Sequence, residues 1–134
     1  MTEENLTQAE LATNAATWDH INLVMKLLAA MQIEIMKRQF THDRSKLAAP
    51  EVSTFTEMTP KLAGSTYGSE EYKGFLAEMK PALNHHYSHN RHHPEYFENG
   101  VEGMNIIDLL EMLCDWKAAS LRHNDGDIDR SIEI

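Results

Sequence analysis

Five of the chain's eight histidines fall within nine positions, in the run His85-His86-Tyr87-Ser88-His89-Asn90-Arg91-His92-His93-Pro94-Glu95. A His42-Asp43 pair precedes them, and Asp108, Glu111 and Asp115 follow. Imidazole and carboxylate donors without thiolates suit a borderline or hard divalent cation. The chemistry to expect is therefore that of a metal site. The single cysteine, Cys114, excludes a thiolate zinc site and an internal disulfide. Manganese, iron, cobalt, nickel and zinc all remain open, as one ion or two.

The elements that must carry these residues read as helices almost throughout. Thr7-Gln8-Ala9-Glu10 fits a capping box, so a short helix is expected there. Thr17 is expected to cap a second helix, with Asp19 in its first turn. Ile21, Val24, Leu28, Met31 and Ile35 then recur at helical spacing, widened by Leu23, Leu27 and Ala30. Pro50 ends the segment that holds His42-Asp43-Arg44-Ser45-Lys46. Residues 51–63 are weakly helical, with Pro60 interrupting, and Gly64 to Gly68 is a loop. Ser69 caps the next helix, which Pro81 kinks or restarts. The restarted piece carries the histidines towards Pro94. Asn99 to Gly103 is turn-rich, and an apolar helix runs from Met104 to near Arg122. Nothing alternates at period two, so the fold class is all-α, a compact bundle of five or six helices in one domain over 1–134. Residues 1–16 are expected to be loose, and 124–134 to be a polar tail.

Helical phase narrows the candidate ligands. Met79, Leu83, His86, Asn90 and His93 share one face at spacings of three and four, whereas His85 and His89 fall on another. His86 and His93 are thus expected to point inward, and His85 and His89 to water. Asp108, Glu111 and Asp115 form a stripe, extended by Arg122, on a helix whose other faces are apolar. Buried carboxylates are costly alone, so that stripe must face cations or a wet cavity. Blander readings exist: a chance His-Asp pair, a solvated histidine loop, a solvated acidic face. Asp125 to Asp129 looks like a calcium loop only superficially, because Arg130 stands where the loop needs glycine.

Composition bounds the partners. Apolar residues make up 42% and charged residues 25%, ordinary for a soluble globular protein. The formal net charge of −9 argues against nucleic acid or an anionic membrane as partner, though not against a small phosphate ester in a locally basic pocket. The amino-terminal residues lack a basic start and apolar stretch, and no apolar run approaches a membrane span. A cytoplasmic, reducing compartment is the expectation, with Cys114 read as a buried, inert thiol. Eight methionines could line a homo-oligomer seam, and are more often ordinary core.

Taken together, His20, His42-Asp43 with Ser45-Lys46, His92-His93-Pro94-Glu95 and Asp115 resemble the HD-domain superfamily of metal-dependent phosphohydrolases. His42-Asp43-Arg44-Ser45-Lys46 is similar to that family's His-Asp-x-Gly-Lys segment, with Ser45 in place of glycine. His92-His93-Pro94-Glu95 is similar to the His-His-Glu stretch of its two-metal members, with a proline inserted. His85 to Arg122 also looks like a small group of phage and bacterial proteins without an assigned activity. The resemblance implies an HD-like all-α fold in which His20, His42, Asp43 and Asp115 hold one metal. His86 and His93 add ligands for a second, with Asp43 bridging. His20 and His42 stand only 22 positions apart. One unbroken helix from Trp18 to Arg38 would separate its ends by roughly 30 Å, at about 1.5 Å per residue. His20 is then a ligand only if the chain reverses near Ala30-Met31.

The activity implied is hydrolysis of a nucleotide or other small phosphoester. Asp43 would orient the water, Arg44, Lys46 and Arg122 would offset phosphate charge, and His85, His89 or Glu111 would protonate the leaving oxygen. The same resemblance permits a di-iron oxygenase. A chain that kept the fold and lost turnover, such as a phage factor binding a basic host protein, is the third reading.

Overall fold

Thr7 and Glu10 start the first helix as a reciprocal pair. The Thr7 backbone N–H donates to Glu10 Oε2 at 2.7 Å, and the Glu10 N–H donates to Thr7 Oγ1 at 3.2 Å. A computed structural model describes residues 5–122. From that box α1 runs unbroken over Gln8–Thr41, so the two expected helices are one. Thr17 does not cap: it lies mid-helix, and its hydroxyl donates to the Thr13 carbonyl at 3.0 Å, which removes the side chain from any capping role. The segment expected to be loose is helical from Gln8 onward. The polar tail and the Asp125–Asp129 stretch lie outside the described residues.

The remaining helices are α2 (Glu51–Ala63), α3 (Glu70–Glu78), α4 (Lys80–His89) and α5 (Ile106–Arg122). Short 3-10 turns fill Arg44–Leu47, Pro94–Tyr96 and Gly100–Gly103. The chain is all-α, with five α-helices and no strand among the described residues. Pro60 does not interrupt α2 but sits within its final turns. Ser69 caps α3 as expected, accepting from the Tyr72 N–H at 3.1 Å. Pro81 restarts the helix as α4, since a proline in the first turn gives up only an amide that has no helical partner.

Two compact units divide the chain, Met1–Lys37 and Arg38–Ile134. The first is, among the described residues, α1 up to Lys37; no residue of α1 is buried. In the second, Met58, Met79, Ala82, Met104, Ile107 and Met112 are buried and form an ordinary methionine-rich core. Helix α5 turns Ile107, Asp108 and Met112 inward and leaves Ile106, Leu110 and Leu113 exposed, so it is less enclosed than its apolar sequence predicts. Cys114 is exposed as well, because it lies off the inward face of α5; the expected buried thiol is not found.

Candidate metal centre

Helix α1 ends at Thr41, and the next two residues turn sharply. Asp43 adopts φ 53°, ψ 15°, a left-handed conformation that Asp tolerates better than most residues. That turn places the His42 ring and the Asp43 carboxylate side by side, with His42 Nε2 3.6 Å from Asp43 Oδ2. From α4, His86 is buried and brings Nε2 to 3.2 Å from Asp43 Oδ1. Helix α4 stops at His89, and Asn90 is extended at φ −133°, ψ 106°. The chain therefore folds back, and His92 and His93 both enter the same space. His92 Nε2 lies 3.3 Å from Asp43 Oδ1 and 3.7 Å from Asp115 Oδ2, while His93 Nε2 lies 3.0 Å from His86 Nε2. Helix α5 supplies Asp115, whose Oδ1 is 3.6 Å from His42 Nε2.

Two overlapping ligand sets result. Asp43, His86, His92 and His93 form one, and His42, Asp43, His92 and Asp115 the other; within each, the donor atoms lie within 4.8 Å of one another. Both sets share Asp43 and His92. Asp43 Oδ1 and His92 Nε2 are buried without a hydrogen-bond partner. Orphaned buried donors and acceptors are costly, and a cation between them resolves the cost. The residues thus fit a divalent ion of the nitrogen- and oxygen-binding kind.

Carboxylates on the far side of the imidazoles fix their orientation. His42 Nδ1 lies 2.9 Å from Glu111 Oε1, and His86 Nδ1 lies 2.8 Å from Glu51 Oε1. His92 Nδ1 stands 3.2 Å from Glu111 Oε1, within ion-pair reach though outside hydrogen-bond alignment. A proton held at Nδ1 leaves the Nε2 lone pair aimed at the centre, the arrangement usual for histidine ligands. Glu51 is fully buried and holds His85 Nδ1 as well, through Oε2 at 2.6 Å.

The electrostatics follow from this crowding. The nearby Asp115 carboxylate and the hydrogen bond to Glu111 raise the His42 imidazole to about 10. Burial, followed by the neighbouring His92 and His86, pushes His93 down to about 3. Burial acts to raise Asp43, but the facing His86 and His92 imidazoles, together with the Lys46 charge, hold it far below the usual carboxylate range. Glu111 is likewise held low: His42, His92 and Arg38 outweigh its burial.

Asp108 and Glu111 on α5 do face cations, as the cost of lone carboxylates requires. Asp108 is buried; it accepts from Arg38 Nη2 at 2.8 Å and from Arg91 Nε and Nη2 at 3.1 Å each. Glu111 Oε2 accepts from Arg38 Nη1 at 2.7 Å.

Of the residues singled out in the sequence, His42, Asp43, His86, His93 and Asp115 converge. Lys46 joins them, with Nζ 3.0 Å from Asp43 Oδ2. His20 does not: it is exposed on α1 and belongs to neither ligand set, because α1 has no reversal at Ala30-Met31. Arg44 also falls outside, exposed, with Nε bonded to the Phe40 carbonyl at 2.9 Å. Glu111 sits behind the candidate ligands, with one oxygen on His42 and the other on Arg38, so its carboxylate is engaged on the side away from the centre. His85, expected in water, is half-buried against Glu51, whereas His89 is exposed as expected. Arg122 lies exposed at the end of α5.

Helical phase passes over His92 and Glu51, although His92 stands in the stretch that resembles the two-metal members. Extending α4's phase through position 93 turns His92 away, but the helix ends at His89, so the phase no longer holds there. Pro94 was the available signal, since it keeps the residue before it out of helical geometry. Nothing local distinguishes Glu51 from any acid in a helix's first turn.

A family model matches residues 9–133, that of a family of unknown function (DUF5662). The chain belongs to that family. No curated protein matches it, and no solved structure does.

Proposed function

We propose that this chain is a metal-dependent phosphohydrolase acting on a nucleotide or another small phosphoester. In this reading His42, Asp43, His86, His92, His93 and Asp115 hold one or two divalent transition-metal ions. The observation that carries it is the pair of candidate ligand sets joined at Asp43 and His92, whose buried Oδ1 and Nε2 face each other at 3.3 Å without a well-formed hydrogen bond. The His-Asp pair, the paired histidines and the distal Asp115 also occur in the order that the resemblance to the HD-domain superfamily calls for. The phosphoester and nucleotide choice rests on that resemblance.

A divalent ion at these atoms supplies Lewis acidity to a phosphoryl oxygen and acidifies water towards about pH 7. The side chains divide the remaining tasks. His86 and His92 are almost wholly buried and close the inner side. His42, Asp115 and Lys46 are 32%, 31% and 40% exposed and form the side a substrate reaches. Lys46 Nζ, held beside Asp43, is placed to meet a phosphate oxygen there. Asp43 is positioned to orient water by its second oxygen. Glu111 and Glu51 keep the imidazoles in one tautomer.

Elemental analysis of the untreated protein, followed by phosphate release from a panel of nucleotides and small phosphoesters, tests the reading. Bound transition metal and phosphate release from at least one substrate are expected, both lost in Asp43→Ala. Turnover retained in Asp43→Ala, or metal-free protein that hydrolyses equally well, overturns it.

A further inference from the structure

Helix α1 carries an apolar seam that nothing among the described residues of its own unit covers. Ile21, Val24, Leu28, Met31 and Ile35 alternate at intervals of three and four, the spacing that brings two helices together along a shared stripe. Val24, Leu28, Met31 and Ile35 are all exposed, Leu28 by 54% and Met31 by 49%. Met25 and Leu27 flank the seam and are exposed too. No residue anywhere on α1 is buried. Isolated helices draw little stability from propensity alone and depend on burying an apolar face.

Charge identifies what covers the seam. The whole chain carries −9. Helix α1 holds three acids, Glu10, Asp19 and Glu34, and three bases, Lys26, Lys37 and Arg38, and so has no net charge. It is the only helix among the described residues that is neutral in this sense. Two copies of an acidic protein repel over most of their surface and meet without that cost along α1. A basic partner is drawn to the acidic remainder of the chain and gains nothing from this element. No helix among the described residues, α1 included, is long and apolar enough to cross a membrane.

Area points the same way. A standard interface takes about 800 Å² from each partner. Val24, Leu28, Met31 and Ile35, with Met25 and Leu27 beside them, are each between 37% and 60% exposed and offer apolar surface on the order of several hundred Å² per copy, to which the polar side chains of the same face add. We infer that α1 pairs with α1 of a second copy of this chain along the Ile21–Ile35 seam, so that the protein is a dimer in solution. The inference does not depend on the metal centre, and none of the seam residues is a candidate ligand.

Sedimentation equilibrium of the full chain tests it. The wild-type protein is expected at twice the 15.3 kDa of one chain, dissociating on dilution. Leu28→Ala with Met31→Ala keeps strong helix formers at both positions and is expected to weaken the dimer by at least about tenfold. Leu28→Lys with Met31→Lys is expected to run as a monomer with its helical circular dichroism and metal content unchanged. A wild-type protein that is monomeric at every concentration overturns the inference. So does a dimer that the alanine pair leaves as tight as wild type, since another surface then holds it.

Discussion

One carboxylate oxygen faces two imidazoles: Glu111 Oε1 stands 2.9 Å from His42 Nδ1, which it hydrogen-bonds, and 3.2 Å from His92 Nδ1. Arg38 holds the other oxygen at 2.7 Å, so the carboxylate is pinned from the side away from the ligand atoms. Glu111→Gln preserves shape and removes the charge. Metal affinity is expected to fall by about 10- to 100-fold, the usual effect of losing a carboxylate behind histidine ligands. Metal titration checks this, and an unchanged affinity would show that Glu111 only braces Arg38.

Glu51 plays the corresponding part for His86, with one oxygen on His86 Nδ1 and the other on His85 Nδ1. It is fully buried, so Glu51→Ala leaves two imidazole N–H groups without their acceptor. The expected cost is about 1–3 kcal/mol of folding stability for each such group that water does not reach, together with weaker metal binding. Glu51→Gln keeps an acceptor and is expected to recover most of the stability but not the affinity. Urea unfolding and metal titration on the same two variants separate the effects.

Asp108 joins three segments, accepting from Arg38, Arg91 and the Asn105 N–H. Breaking a buried pair leaves an uncompensated charge, and Asp108→Ala is expected to cost about 3–5 kcal/mol. The linkage has a definite sign. Burial acts to raise the Asp108 pKa, but bonds from Arg91, Asn105 and Arg38 leave it below the ordinary value. Its contribution is therefore present above the unfolded pKa of about 3.9 and is lost as pH falls through the lower folded value. Stability followed by urea between neutral pH and acid is expected to decline below about pH 4, less steeply in Asp108→Asn.

His92 and His20 offer the sharpest contrast. His92→Ala removes a donor common to both ligand sets and is expected to lose metal and turnover together. His20→Ala and Arg44→Ala, both exposed and outside those sets, are expected to change stability by no more than about 0.5 kcal/mol and metal content not at all. Metal loss in His20→Ala would return that residue to the ligand set and require a different path for α1.

Much of the local structure was legible in residue order because its causes are local. Thr7 with Glu10 marks where α1 begins, Ser69 marks α3, and Pro81 marks the break before α4. Caps and prolines act within one turn, so their positions are readable without knowing what packs on them. Of the candidate ligands, His86 and His93 stood out by helical phase, and His42, Asp43 and Asp115 entered through the resemblance; the fold brings these five close together.

What remained hidden depends on groups distant in sequence. Thr17 looks like a cap until the helix before it is seen to continue, since a hydroxyl serves a neighbouring carbonyl as readily as a free amide. His92 enters the centre only because Asn90 turns extended, and Glu111 becomes a support because Arg38 takes its outer oxygen. Residue identities alone determined an all-α chain rich in nitrogen and oxygen donors. Tertiary structure decided which donors share one small volume and which carboxylates stand behind them, because coordination depends on distances of a few ångströms between segments separated by tens of residues.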